Sequence, residues 1–425
     1  MSTNLETVSD WRDYFLTRGP RMSAEAFLLK LGSLSAQEQR FALTGLPDTK
    51  SLTQRFENAW AQKDDTLGGV PFLTKDLFFR AGHPTFAGST FLPEEIGIPR
   101  TSSSLPSAFQ KDAGAVECGR TQLNEFAYGL SGENPHYGDC QHPTHPELLS
   151  GGSSSGSAWA VAKKIVPFAL ATDTAGSIRV PCGYCGVWGL RLSPDISPVG
   201  DIFPLSPGYD TQGWMTHNPA DLITVSKAVL GNSPKLGKGL WVGDLGLGME
   251  SSLLNTLRNF VRPLGVDEDK SATELLRINS NKSHQYFPVL GGTAAARVHA
   301  AWLNQRKNSY DPVVWERLNL ASKRSVEEVR EAEIYRLKIT DTFRTLFKQY
   351  SFIAMPCAFG PAVAKKDLTA QHRENLLALN APASLAGLPA LAAPVKLEGG
   401  LTAGVQFLFS DMTHFGWEEL LTQLS

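Results

Sequence analysis

The feature that most constrains the fold is an alternation of short apolar runs with helix-forming segments, which begins at "GGVPFLTKDLF" (residues 68–78). The run "AVECGRT" follows the helix-like "SSLPSAFQKDAG", and "KIVPFALATD" follows "SGSAWAVAK". Further strand-like runs, "SFIAMPCAFGPAV" and "LAAPVKLEGGLTAGVQFLF", come after a charged helical region at residues 221–350. Such alternation predicts an α/β protein whose helices pack on the faces of a β-sheet.

Residues 1–65 carry amphipathic spacing in segments such as "SAEAFLLKLGSLSAQEQRFALTGL", which predicts helices. We expect them to form a helical N-terminal extension packed on a single large domain at residues 66–425. Neither an internal repeat nor a low-complexity linker divides that domain. With 42% hydrophobic residues, the chain has enough apolar material for one large core.

The charge balance and the apolar segments bear on where the protein works. The formal net charge is -2, with Lys and Arg spread along the chain, so we expect neither nucleic acid nor an anionic membrane surface as a partner. The N-terminus lacks the basic end and apolar run of a secretory signal. The longest uncharged stretch, "NLLALNAPASLAGLPALAAPV", carries three prolines and does not fit a spanning helix. Five cysteines without a pairing framework fit reduced thiols, and we expect a cytoplasmic protein.

Two segments contain residues that often bind metals. "CGYC" at residues 182–185 has the spacing of a redox or zinc half-site, but no second pair completes a zinc site. "HYGDCQHPTHPE" brings His136, Cys140, His142 and His145 close together without regular helix or finger spacing. We expect buried structural cysteines in the first segment and a polar surface loop in the second, with no metal and no cofactor.

The run "GGSSSGSA" at residues 151–158 leads into a helix-forming segment, and three hypotheses could explain it. A phosphate-binding loop would need Lys and Ser or Thr where Ser157 and Ala158 stand, and the dinucleotide order G-x-G-x-x-G is absent. A flexible linker does not fit between an ordered-looking strand and helix. A catalytic serine would need a base and an oxyanion site, and no histidine lies in the run.

A second serine lies nearby in "ATDTAGSIRVP". Ser177 ends a tight turn of small residues whose successive backbone N–H groups can converge on one point, an arrangement that stabilises a developing oxyanion. Lys75 follows a strand-like run and is a candidate base if burial keeps it neutral, whereas the local sequence alone favours an ion pair with Asp76. Arg179 and Asp173 flank the turn, and we expect a buried ion pair between them to fix it.

Three segments in this order, "GGVPFLTKD", "GGSSSGSA" and "TDTAGSIRVPCGYCG", together resemble the amidase signature family. The similarity continues through "GRTQLNEFAYG", "YDTQGWMTHN" and "AMPCAFGP" to "SLAGLPALAAPV" and "GLTAGVQFL". The resemblance implies an α/β/α sandwich around a mixed sheet, with a serine–cis-serine–lysine triad. By motif position the nucleophile falls on Ser177, the bridging serine on Ser153 and the base on Lys75. The oxyanion hole falls on the backbone N–H groups of Thr174, Ala175, Gly176 and Ser177.

The family's chemistry implies that Lys75 takes a proton through Ser153 while Ser177 attacks an amide carbon. The resulting acyl-enzyme is hydrolysed by water without a metal or organic cofactor. Ser155 and Ala175 stand where the family usually has glycine. We expect these two residues to narrow the space above the nucleophile and not to abolish activity.

The substrate class follows from finer resemblances. "GENPHYG" and "RVPCGYCGVWGL" resemble segments of plant amidases that release ammonia from indole-3-acetamide, which implies a small, rather apolar primary amide. Candidate pocket residues are Leu130, Ser131, Gly132 and Trp214, for which ordinary packing against the sheet is an equally good explanation. The resemblance also leaves room for a homodimer.

Two other functions stay open. One is the glutamine-hydrolysing subunit of a tRNA-dependent amidotransferase, whose relatives are usually longer and carry a close "GSSTEN" match where this chain has "GLSGEN". The other is a binding or scaffold protein that has lost its activity. The presence of all three triad residues argues against this second alternative.

Overall fold

The strands form one mixed sheet, and the computed structural model describes residues 4–197 and 200–425. In chain order the strands are β1 Leu43–Thr44, β2 Pro71–Lys75, β3 Val116–Thr121, β4 Phe168–Asp173, β5 Trp188–Arg191, β6 Thr211–Thr216, β7 Gly239–Trp241, β8 Phe352–Pro356, β9 Ala390–Lys396 and β10 Thr402–Leu408. Their spatial order is β1-β3-β2-β4-β6-β5-β9-β10-β8-β7. β2 runs parallel to β3 and β4, and β7 parallel to β8, whereas the other neighbours are antiparallel.

The α-helices fill the segments between the strands. In chain order they are α1 Val8–Gly32, α2 Ala36–Ala42, α3 Thr49–Ala59, α4 Leu92–Ile96, α5 Ser104–Lys111, α6 Ser155–Ala162, α7 Arg179–Cys185, α8 Pro219–Leu230, α9 Ser251–Val261, α10 Lys270–Ser280, α11 Ser283–His299, α12 Pro312–Ala321, α13 Val326–Leu346, α14 Ala370–Leu385 and α15 Trp417–Gln423. Within the described ranges, no helix combines the length and the apolar character needed to cross a bilayer.

Helices cover both faces of the sheet, as β6 shows directly. Neighbouring residues on a strand point to opposite faces. A Cβ on Gly213 would lie 2.7 Å from Ile178, just before α7, whereas Trp214 Nε1 donates to Ser226 Oγ of α8 at 3.0 Å. α7 therefore packs on one face and α8 on the other. The predicted α/β/α arrangement around a mixed sheet is confirmed.

The N-terminal extension is largely helical but also contributes a strand to the sheet. α1 consists of two helical segments that meet at Gly19, where φ is 80°. After α2, Leu43 and Thr44 pair antiparallel with Thr121 and Arg120 of β3. The extension and the rest of the chain therefore share one sheet, and a domain boundary at residue 65 stays a prediction.

The sheet brings together the segments that carry the predicted catalytic residues. β2 and β4 are parallel neighbours, so their carboxyl ends lie at the same edge of the sheet. β2 ends at Lys75 and β4 at Asp173, and every residue of both strands is buried. Open α/β sheets bind ligands at the carboxyl ends of their strands, so this edge is the expected position of a site.

Gly156 lies where α6 approaches the backbone of its neighbours. A Cβ at this position would lie 2.3 Å from the carbonyl oxygen of Ala42 and 2.8 Å from that of Gln122. Since backbone cannot yield as a side chain does, Gly156→Ala is expected to lower the free energy of unfolding by about 1–3 kcal/mol in urea denaturation. Gly360→Ala is the control, because nothing lies within 4 Å of its Cβ position. Equal midpoints for the two variants would contradict this prediction.

Candidate active site

Lys75, the last residue of β2, is buried among hydroxyl groups. Its Nζ lies 2.8 Å from Ser153 Oγ, 2.9 Å from Ser154 Oγ and 2.8 Å from Thr172 Oγ1. Ser154 Oγ donates its own proton to the carbonyl oxygen of Thr172 at 3.0 Å, so it can only accept from the amine. A neutral amine has one lone pair, and this arrangement leaves it available to the hydroxyl proton of Ser153.

The electrostatic environment favours that neutral form. Burial lowers the pKa of Lys75 to about 7, although the negative charges of Asp173 and Asp210 favour the protonated amine. Asp76 does not pair with Lys75, because its carboxylate accepts from Arg120 Nη1 at 2.7 Å. The simpler interpretation of Lys75 as the ion-pair partner of Asp76 is therefore wrong.

Two glycines in the loop before α6, Gly151 and Gly152, allow the backbone conformation that places Ser153 beside Lys75. Gly151 has a φ of 73°, in the region that favours glycine. A Cβ on Gly152 would lie 2.1 Å from Asn124 Oδ1. The Gly152–Ser153 peptide bond is cis, as the family resemblance implied for the bridging serine. These positions explain why the run "GGSSSGSA" begins with two glycines.

The turn that carries Ser177 is wrapped around the carboxylate of Asp173. Oδ1 accepts from the amide of Gly176 at 2.8 Å. Oδ2 accepts from the amides of Ile178 at 3.0 Å and Arg179 at 3.3 Å. One carboxylate at the end of β4 therefore fixes the backbone on both sides of the nucleophile.

Two arginines neutralise the same carboxylate. Arg179 donates to it from Nη2 at 2.8 Å and from Nε at 3.0 Å, and Arg191 donates from Nη1 at 2.9 Å. Burial alone would raise the pKa of Asp173, but the two guanidiniums more than offset it and hold the pKa well below its usual value. The predicted ion pair between Arg179 and Asp173 is confirmed, whereas Arg191 was not expected there.

Three of the four expected oxyanion donors are free to bind a substrate oxygen. Among the hydrogen bonds of the described residues, none uses the amide of Thr174, Ala175 or Ser177. Gly176 differs, since its amide donates to Asp173, and its place in the predicted oxyanion hole is wrong. Its φ of 121° still requires a glycine, because the turn could not otherwise present the amide of Ser177.

Ser177 faces a cavity of about 40 Å³ whose walls are mainly apolar. Within the part of the chain that the structure describes, no hydrogen bond joins Ser177 Oγ to Ser153 Oγ. Catalytic hydrogen bonds are often long without substrate and tighten when it binds. Beyond the nucleophile turn, the wall residues include Tyr128, Leu130, Leu205, Phe287, Arg373 and Leu377.

The four predicted pocket residues lie in different places. Leu130 lines the cavity at Ser177, and Ser131 lines a larger neighbouring cavity. Gly132 supports the loop, since its amide donates to Asn124 Oδ1 at 3.0 Å. The expectation for Trp214 is wrong, because its side chain is fully buried against α8, on the sheet face opposite the nucleophile helix.

Sequence reasoning missed several residues that support the site. Ser154 and Thr172 hold Lys75, and Asp210 accepts from Thr174 Oγ1 at 2.6 Å. Ser154 could have been suspected from its place in the serine run. Thr172 and Asp210 lie in the quoted segments "TDTAGSIRVPCGYCG" and "YDTQGWMTHN", but only the pairing of strands β2, β4 and β6 shows that they meet at the edge of the sheet.

The segment "HYGDCQHPTHPE" was expected to be a polar surface loop, but part of it is buried. Cys140 and His142 are buried, and His142 Nε2 bonds to the carbonyl oxygen of Tyr184 at 2.8 Å. His136 Nε2 lies 2.8 Å from Glu125 Oε1. In the described ranges, no three His, Cys, Asp or Glu side chains are grouped as metal ligands. All five cysteines are buried free thiols, as predicted for the pair in "CGYC".

The fold and the site define an α/β enzyme with a buried lysine–serine pair beside a second, cavity-facing serine. The Amidase family model matches residues 34–242. The chain is 28% identical to "Amidase 1" of Oryza sativa subsp. japonica over 80% of its own length and 86% of the rice protein. It is also 28% identical to a glutamyl-tRNA(Gln) amidotransferase subunit of Akkermansia muciniphila over 96% of both chains. A crystal structure of an amidase superposes with a TM-score of 0.82 at 25% identity, covering 97% of this chain and 99% of the other.

Residues 34–242 therefore match the amidase signature family, and the protein is a hydrolase that acts on C–N bonds. The matched part contains Lys75, Ser153 and Ser177, so the motifs that suggested the family also carry the observed site.

Asp173→Asn tests the ion cluster that fixes the nucleophile turn. The substitution leaves two fully buried guanidiniums without their counter-charge, so we expect the free energy of unfolding to fall by about 3–5 kcal/mol in urea denaturation. Asp341→Asn is the control, since Asp341 pairs with Arg344 in an exposed ion pair worth about 1 kcal/mol at most. A similar loss in both variants would show that the cluster does not stabilise the fold.

Proposed function

We propose that the protein hydrolyses a small primary amide to a carboxylic acid and ammonia through an acyl-enzyme on Ser177. The observation that carries the proposal is the buried Lys75 Nζ, 2.8 Å from Ser153 Oγ, beside a turn that presents Ser177 to a cavity. A buried lysine with a pKa of about 7 is a competent base at neutral pH. An indole-3-acetamide-like substrate within this class stays a prediction from the sequence.

In the acylation step, Ser177 Oγ attacks the amide carbon as its proton moves to Ser153 Oγ. Ser153 in turn gives its own proton to the lone pair of Lys75. The amides of Thr174, Ala175 and Ser177 stabilise the developing oxyanion, each such donor contributing roughly 3 kcal/mol. The protonated lysine then returns a proton through Ser153 to the leaving nitrogen. The C–N bond breaks, and ammonia and the acyl-enzyme result.

Deacylation uses the same groups in the same order. A water molecule attacks the ester carbon and gives its proton through Ser153 to Lys75. Collapse of the tetrahedral intermediate breaks the bond to Ser177 Oγ, which recovers a proton from the relay. One amide and one water yield one acid and one ammonia, so the reaction balances without an oxidant or a metal.

The cavity supports a compact substrate. Its volume of about 40 Å³ leaves little room beside the nucleophile, and Leu205, Phe287 and Leu377 make the wall apolar. A primary amide has the smallest leaving group that the chemistry allows. The glutamine-hydrolysing alternative shares this chemistry, so glutamine belongs in any test of substrate choice.

Ser177→Ala tests the proposed nucleophile directly. Ammonia release from a panel of aryl-acetamides, aliphatic amides and glutamine is expected to fall at least about a thousandfold. Ser153→Ala and Lys75→Met should produce losses of the same order, because the three residues act as one unit. The exposed Ser322→Ala serves as the control. Unchanged release from Ser177→Ala would assign the activity to another group, and release from no amide at all would favour a scaffold role.

The pH dependence tests the proposed base. Lys75 is protonated below its pKa of about 7 and cannot accept a proton there. We therefore expect kcat/KM to rise about tenfold per pH unit below that value and to level off above it. Thr172→Val removes a hydroxyl that stabilises the protonated amine, so the rising limb should move to lower pH. Thr53→Val on α3 is the control. A profile that is flat across pH 7 would remove Lys75 from the base role.

A further inference from the structure

Two cavities meet at a wall that contains an arginine. The cavity at Ser177 and a larger one of about 480 Å³ share four residues, which are Tyr128, Gly129, Leu130 and Arg373. We call the larger space the outer cavity. Of the shared residues, only Arg373 carries a charge, and it lies on the first turn of α14.

The guanidinium of Arg373 has no partner in the described part of the protein. Its Nε is buried and makes no hydrogen bond, and no carboxylate of the described residues lies within salt-bridge distance. Burial lowers the pKa of Arg373 to about 10, and the nearby charge of Arg317 acts in the same direction. The group therefore stays positively charged at neutral pH. Arg373 is half-buried, and its shielded Nε–H stays unpaired unless a ligand accepts from it.

The surrounding charges do not supply that partner. The acidic residues that line the outer cavity are Glu125, Glu133, Asp139 and Asp311. Lys365 Nζ lies 2.7 Å from Asp139 and 3.5 Å from Glu133. Glu125 bonds to His136 at 2.8 Å, and Asp311 accepts from the amide of Val313 at the start of α12. Each of these carboxylates thus already has a partner, and none of them pairs with Arg373.

Arg317 has a different task from Arg373. Its Nη1 donates to the carbonyl oxygen of Tyr128 at 2.7 Å, which holds the shared wall in place. Arg317 lines only the outer cavity, whereas Arg373 also lines the cavity at Ser177. Arg373 is therefore the cation that a group bound at the nucleophile can reach.

We propose that Arg373 binds a carboxylate of the substrate, so that the preferred substrates are short amide acids with a primary amide at one end and a carboxylate at the other. The proposal rests on the hydrolytic role of Ser177 given above. A guanidinium is suited to a carboxylate because its planar fork offers paired donors. Ser177 and Arg373 line the same cavity of about 40 Å³, so a short spacer is enough to join the two ends of the substrate. The apolar wall formed by Leu205, Phe287 and Leu377 suits a methylene spacer.

The test compares each amide acid with a neutral analogue in which a methyl ketone replaces the carboxylate. Malonamate is paired with acetoacetamide, and succinamate with levulinamide, with ammonia release as the readout. We expect kcat/KM for the amide acids to exceed that of the neutral analogues at least about tenfold. In Arg373→Met the ratio of kcat/KM between each amide acid and its neutral analogue should fall to about one, through a rise in KM for the amide acid. Arg373→Lys should restore part of the preference, and the exposed Arg344→Met should leave it unchanged.

The outcomes separate this proposal from the proposed function. If Ser177 is required for turnover but neutral amides react as well as amide acids, the carboxylate site is wrong and the amidase function stands. A preference that survives in Arg373→Met also overturns the site.

If no amide is turned over, the proposed function fails, and calorimetry with succinamate on Ser177→Ala still decides the site. Binding that is lost when Arg373→Met is added supports it, and absence of binding overturns it. Thermal unfolding of each variant confirms that the protein is folded.

Discussion

The buried carboxylate of Asp173 is the interaction on which the rest of the site depends. It accepts from three backbone amides around Ser177 and from Arg179 and Arg191, all without exposure to solvent. Arg179 also donates to the carbonyl oxygen of Asn380 and to Gln406, which lie 201 and 227 residues further along the chain. Because breaking a fully buried ion pair is strongly destabilising, a change in the nucleophile turn is expected to disturb α14 and β10 as well.

The same cluster shapes the chemistry of Lys75. A lone Asp173 charge in the interior would favour the protonated amine, and Asp210 adds to that effect. Burial outweighs the effect of both carboxylates and lowers the pKa of Lys75 to about 7, while Arg179 and Arg191 pair with Asp173. The negative charge of Asp173 therefore fixes the backbone around Ser177, while Lys75 keeps a pKa low enough to be neutral in part at pH 7.

Much of the site could be predicted from sequence because its candidate catalytic residues lie in short, ordered motifs. Lys75 Nζ lies beside Ser153 Oγ, and Ser177 lines the neighbouring cavity, whereas the catalytic roles of the three residues stay predictions. The alternation of runs predicted the α/β fold. Trp214 was misplaced because a motif does not tell which face of the sheet a strand residue points to. The direction of the Gly176 N–H is likewise set by its hydrogen bond to Asp173 and cannot be deduced from the sequence. Thr172, Arg191 and Asp210 depend on the pairing of distant strands.

Chemistry and substrate choice come from different parts of the chain. The groups that we propose to react lie between residues 75 and 177, at the ends of β2 and β4 and in the loops beside them. The opposite wall of the cavity is built by Leu205, by Phe287 of α11 and by Arg373 and Leu377 of α14. Those helices contact the site through side chains that the reaction itself does not use, so they can change without disturbing the relay. A shared mechanism is therefore compatible with different acyl groups. Among the residues described, the unpaired guanidinium of Arg373 on α14 is the one charged group that lines the nucleophile cavity.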